Sequence, residues 1–134
     1  MIHEDHGHAP EEIVASLEMW NLHRNDLTRA ALVSSIANSR LLVPLVQQGT
    51  GVQQEMVQVT FQSNDGRTAL LAFTSLDDLN QFNESARPLP KRGSELALET
   101  LEKNLDGMIV DIASSHRFSL SITEVASMAQ NQAT

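Results

Sequence analysis

Apolar and polar positions recur along the chain with two different periods, and the switches between them mark its elements. Ile13, Leu17 and Trp20 fall at helical spacing behind Pro10, a residue suited to a first helical position. Glu11 and Glu12 complement the positive end of that helix's dipole. After a polar break over residues 21–26, a second helix is expected from Leu27 to about residue 37, with Leu27, Ala30, Ala31 and Val33 inward. Residues 41–46 form a short apolar run suited to a strand. Pro44 cannot donate to a ladder, so an edge position or a bulge is expected there. Residues 47–55 read as a loop around Gly49 and Gly51.

Val57, Val59 and Phe61 then alternate with Gln58, Thr60 and Gln62, the pattern of a half-exposed antiparallel strand. The turn Ser63-Asn64-Asp65-Gly66 follows, its Asp-Gly step fit for positive φ. Residues 69–73 are apolar at every position, which predicts a central strand covered on both faces, with Leu71, Phe73 and Val110 fully buried. Ser75 and Asp78 are spaced as a capping box for a short helix to about Phe82. Arg87-Pro88-Leu89-Pro90 must be extended, because each proline pushes its predecessor out of the helical region. Ser94 is placed to cap a helix with a stripe of Leu98, Leu101 and Leu105. Residues 108–112 and 117–120 suggest a strand pair. Ser121 and Glu124 then open a last helix with Ile122, Val125 and Met128 inward. The expected fold is α+β: about five helices packed with one mostly antiparallel or mixed sheet of five strands. Residues 1–9 are expected to be a disordered tail and residues 10–134 one domain.

Composition narrows the function classes. A chain of 134 residues, 41% hydrophobic and 19% charged, suits one globular domain with its own core. It has no apolar run long enough for a membrane span, and its polar, acidic start is unlike a secretory signal. Cysteine is absent, excluding disulfides and thiolate chemistry and favouring the cytoplasm. A net charge of −8, with no tyrosine and only nine scattered basic residues, argues against nucleic acid and anionic membranes as partners. What remains is a protein partner, a second copy of the chain, or a small anionic ligand.

Several segments together resemble the SseB N-terminal domain family, bacterial proteins named for an enhanced serine-sensitivity phenotype. They are Val43-Pro44-Leu45-Val46, then Ala69-Leu70-Leu71-Ala72-Phe73-Thr74-Ser75-Leu76, then Ala86-Arg87-Pro88-Leu89-Pro90. Gly107-Met108-Ile109-Val110-Asp111 and His116-Arg117-Phe118-Ser119-Leu120 complete the series in the family's order. The resemblance implies an α/β domain without defined activity, catalytic residues or cofactor. Family members often carry an Asx-Pro step where this chain has Asp111-Ile112.

No constellation points to catalysis, so no enzyme activity and no cofactor are expected. His3, Glu4, Asp5, His6 and His8 superficially suit a metal, but an unstructured tail would lose chain entropy for every ligand it recruits. A serine nucleophile would need a serine held against His23 or His116, and no G-x-S-x-G elbow is present. Gly49-Thr50-Gly51 lacks the lysine of a phosphate loop. Thr74 and Ser75 end the central strand, and a helix cap accounts for both hydroxyls. Arg87, Lys91 and Arg92, with the Ser94 helix start, form the one close basic cluster and the candidate contact for an anion or a partner's acidic side chain. Trp20 and Met19 are the candidate apolar contact. The leading expectation is a non-catalytic protein-interaction or regulatory module; the alternative is a small-anion-binding domain using Arg87 and Arg92.

Overall fold

The computed structural model describes residues 6–49, 51–53 and 55–133. Two helices come first, α1 (Glu11–Leu22) and α2 (Asp26–Ala37), then strand β1 (Arg40–Gln48). A single turn of 3₁₀ helix leads to β2 (Glu55–Gln58), β3 (Thr60–Gln62) and β4 (Thr68–Ala72). Then come α3 (Leu76–Phe82), β5 (Arg87–Arg92), α4 (Gly93–Glu102), β6 (Gly107–Val110), β7 (Phe118–Ser121) and α5 (Ile122–Ala133). The α+β class holds, but seven strands form two sheets where one five-stranded sheet was expected. One sheet runs β2-β1-β5, the other β3-β4-β6-β7.

The difference has a local cause. The alternating run 57–62 is one amphipathic stretch that serves both sheets and divides at Val59, whose N–H still bonds the Pro44 carbonyl at 3.2 Å before the chain passes to β4. The sheets meet again where Leu42 and Phe73 exchange two backbone hydrogen bonds of 2.8 Å. All pairings are antiparallel except β4 with β6.

Pro44 does not put β1 at an edge. β1 is the central strand of its sheet, and its partners β2 and β5 are the edges. Leu42 bonds to Phe73, and the Pro44 carbonyl serves Val59, so the polar groups of residues 42 and 44 point away from β5. Pro90 and Pro88, opposite them in register, likewise face outward, and Leu89 and its odd-numbered neighbours carry the ladder. Proline at these alternate positions therefore costs no inward bond.

β4 is buried on both faces, as its sequence predicts. Leu70 and Ala72 join Met108, Val110, Leu32 and Leu96 in a core under the four longer helices. Leu71 and Phe73 point the other way, to a smaller core with Leu42, Leu79 and Ala86. Leu71, Phe73 and Val110 are buried as expected. Three helices are turned relative to the expected stripes. α2 buries Thr28, Leu32, Val33, Ile36 and Ala37, leaving Leu27 in solvent and Ala30 and Ala31 exposed. α4 buries Leu96, Ala97 and Thr100 in place of Leu98. α5 buries Val125 and Met128 but not Ile122.

Ser94 is not the cap of α4. Arg92 takes the cap position without a side-chain bond, and Ser94 is buried in the first turn. The chain crosses the end of α2 so closely that a Cβ on Gly93 would lie 1.9 Å from the Ile36 carbonyl oxygen. The Gly93 N–H donates to Ser39 O at 3.0 Å, which pins the helix start two residues early.

Candidate functional site

The basic cluster does not assemble. Arg87 and Arg92 stand at opposite ends of β5, roughly 16 Å apart at ordinary strand rise. Both are exposed, and Lys91 between them is ion-paired with Glu99. With Ser94 buried, no helix start is presented to an anion there. Trp20 is half-buried, with the guanidinium groups of Arg24 and Arg29 each 5.2 Å from its ring centre. Arg29 in turn forms a fork with Glu124, Nε to Oε2 at 2.8 Å and Nη2 to Oε1 at 2.9 Å, and reaches Ser119 O at 2.6 Å. Hydrogen bonding to Glu124 raises the Arg29 pKa, and the same bonds from Arg29 hold the Glu124 carboxyl below the usual range. A groove of about 470 Å³ passes this pair, Phe61 and Met108, and the charges of Arg29 and Glu124 in it already satisfy one another.

Convergent chemistry lies at the opposite end of the sheet, beyond the carboxyl ends of the parallel strands β4 and β6. Such an end is where open α/β sheets hold ligands. β6 terminates at Asp111, which adopts the left-handed conformation with φ of 56° and donates its N–H to Ala72 O at 3.0 Å. Its buried carboxylate accepts from Thr74, Oδ1 from the backbone N–H at 2.8 Å and Oδ2 from the hydroxyl at 2.7 Å. Thr74 therefore clamps the two strand ends, and Ser75 alone caps α3, its Oγ accepting from Asp78 N at 3.1 Å. Burial pushes the Asp111 carboxyl above the usual aspartate range. Thr74's bonds pull against this, while the like charge of Asp78 adds to it.

His116 completes the corner, with Nε2 3.8 Å from Asp111 Oδ2. Ser114 Oγ sits 2.7 Å from Nδ1 and accepts the His116 backbone N–H at 3.2 Å, which sets the ring's direction. These serine, histidine and aspartate residues do not form a nucleophilic triad. The Asp–His gap exceeds a hydrogen bond, and Ser114 Oγ is already engaged by the turn's own backbone. One oxygen or nitrogen each from Asp78, Asp111 and His116 lies within 4.8 Å of the others. Above them α1 forms the other wall, with Ile13, Val14, Leu17 and Glu18 bordering a cleft of about 320 Å³.

The family model for the SseB protein N-terminal domain matches residues 13–127. The chain belongs to the SseB N-terminal domain family. No curated protein and no solved structure matches it. The matched span covers every element that builds the cleft except the first two residues of α1. In this SseB N-terminal domain the residue at the Asx-Pro position, Asp111, is followed by Ile112, and it is Asp111 that turns inward at positive φ. Sequence reasoning passed over Asp78, Asp111 and Glu18 as site residues. Thr74 and the altered step at Asp111 were visible, but the bond joining them spans 37 positions. Of the N-terminal histidine cluster, His3, Glu4 and Asp5 lie outside the described residues. Gly7 and His8, expected within the tail, are tied to the domain: Gly7 O accepts from Leu76 N at 2.7 Å and His8 O from Arg40 Nη2 at 2.5 Å. Among the described residues no helix is long and apolar enough to cross a membrane.

Proposed function

We propose that this domain is a non-catalytic protein-interaction module of the cytoplasm, whose docking surface is the corner between α1 and α2. One observation carries the reading. Leu22 and Leu27, 71% and 80% exposed, flank the short turn between the helices, and Met19, 48% exposed, lies one helical turn before Leu22. A single exposed leucine is ordinary, but apolar side chains gathered at one corner mark a contact surface. Trp20 and Arg24 border it, residue types that dominate interface energetics. The absence of cysteine supports the compartment. The alternative, a small-anion site on β5, has weaker support because Arg87 and Arg92 do not converge.

A photo-cross-linking residue at Met19, Leu22 or Leu27 should trap a discrete protein adduct in cells, while one at Gln48 or Glu95 should not. Leu22→Glu with Leu27→Glu should abolish the Met19 adduct and change stability by no more than about 0.5 kcal/mol. Adducts spread evenly over all five positions, or none, would overturn the proposal.

A further inference from the structure

We infer that the strand formed by residues 55–62 is a docking edge for the same strand of a second copy of this chain, paired antiparallel about Val59. This goes beyond the docking corner proposed above and uses a separate surface.

One long edge serves both sheets. The Val59 N–H bonds Pro44 O in β1, and further along the Ser63 N–H bonds Arg67 O at 2.8 Å, beside β4. Alternate residues of a strand turn their polar groups to the same side, so the odd-numbered positions 55–63 face β1 and then β4. Positions 56, 58, 60 and 62 turn the other way, and their backbone groups have no partner among the described residues.

The remaining sheet edges are closed. On β5 the outward positions 88 and 90 are prolines. On β7 the Ser119 carbonyl accepts from Arg29 Nη2 at 2.6 Å and the Ser121 N–H donates to Glu124 Oε1 at 3.1 Å, so the arginine–glutamate fork occupies that edge. A copy that pairs through residues 55–62 therefore offers no second edge, and assembly stops at two.

The sequence of the edge selects the occupant. With Val59 opposite its own copy, Val57 of each strand faces Phe61 of the other. The three apolar positions of both strands then form one unbroken row on one face, at the pairs where side chains approach most closely. A shift of two residues either way sets one of these apolar side chains against Ser63 or Glu55. Phe61 is exposed on that face and Met56 on the other. Glu55 falls opposite Ser63, and positions 56–62 hold no charge, so like charges do not meet although each chain carries −8. The outward positions 56 and 62, and 58 and 60, face one another as hydrogen-bonded pairs.

Sedimentation of the whole chain over a concentration series should show a monomer–dimer equilibrium and no larger species. Thr60→Pro removes one outward N–H and no inward bond; symmetry doubles the loss, and the dimer should weaken by about tenfold or more. Thr60→Lys keeps every backbone donor but brings two like charges close to the twofold axis, and should also weaken the dimer while the fold stays intact. The chain has no cysteine, so Val59→Cys supplies a single thiol, and the Cα spacing of about 4.5 Å at such a pair suits a disulfide. Under mild oxidation Val59→Cys should cross-link as a dimer, and Glu95→Cys should not. A chain that stays monomeric up to about 1 mM would overturn the inference. So would a dimer unmoved by both Thr60 variants, or one in which Val59→Cys fails to cross-link. Loss of the dimer in Leu22→Glu with Leu27→Glu would also overturn it and move self-association to the helical corner. If the Met19 adduct persists while the chain stays monomeric, this inference falls and the interaction module stands.

Discussion

At the α2–α5 corner a carboxylate meets an arginine; at the ends of β4 and β6 a carboxylate meets only a threonine's dipoles, a second carboxylate and a histidine ring. Both corners tie distant parts of the chain together, yet their proton equilibria move in opposite directions. Glu124, gripped by Arg29, is held more acidic than usual; Asp111, buried without a bonded cation, is held less acidic. The first corner is electrostatically complete. The second buries a carboxylate with no bonded cation, at a residue whose backbone already sits in a conformation that costs energy for anything but glycine or a short polar side chain. Completeness is what fold-holding polar groups achieve, and its absence directs attention to the cleft.

The largest expected effect removes the support beneath the incomplete corner. Phe73 is buried beside Thr74, its ring 5.4 Å from that of Phe82, and Phe73→Ala should cost roughly 3–5 kcal/mol. Chemical denaturation measures this loss. A near-normal midpoint would show that the smaller core does not hold the strand ends in place.

A smaller effect tests the complete corner. Arg29→Met keeps bulk near Trp20 but strips Glu124 of its fork, and should cost about 1–3 kcal/mol at neutral pH. Folded Glu124 binds its proton less readily than the unfolded chain does. The pair's contribution is therefore full above the ordinary glutamate range and is lost as pH falls through the depressed value. Thermal unfolding of both proteins across acidic pH should show the gap narrowing. A constant gap would mean that packing, and not charge, supplies the effect.

The smallest effect has the opposite sign. Asp111→Asn retains an oxygen for Thr74 N and tolerates positive φ, while removing a buried charge. Folded Asp111 binds its proton more readily than unfolded, so its contribution is full below the ordinary aspartate range and fades as pH rises through the elevated value. The variant should lack that decline and gain up to about 1 kcal/mol at neutral pH. A clear loss of stability there would show that the charged form anchors Thr74, which would make the two corners alike.

Local chemistry was legible in the sequence where one residue decides one bond. The Ser121–Glu124 box closes in both directions, Glu124 N to Ser121 Oγ at 3.2 Å and Ser121 N to Glu124 Oε1 at 3.1 Å. The all-apolar run at residues 69–73 likewise announced a strand with two buried faces. What escaped depended on distant partners. Two prolines masked β5, because the direction of their missing donors is set by β1, some forty-five residues earlier. Leu98 and Leu27 carry the right spacing on the wrong faces, since helix rotation follows the whole packing surface. The cleft escaped for the same reason: Asp78 looked like a cap residue and Asp111 like part of a strand, and only the fold brings both beneath α1.

The prolines of β5 have a consequence for how copies of this domain meet. An edge strand usually offers a stranger both donors and acceptors, and sheets grow by accepting the offer. Here the outward-facing positions 88 and 90 present carbonyl oxygens and no N–H, so an approaching strand finds only half of the bonds it needs. At its β5 edge the three-stranded sheet ends in a boundary that discourages strand-by-strand aggregation.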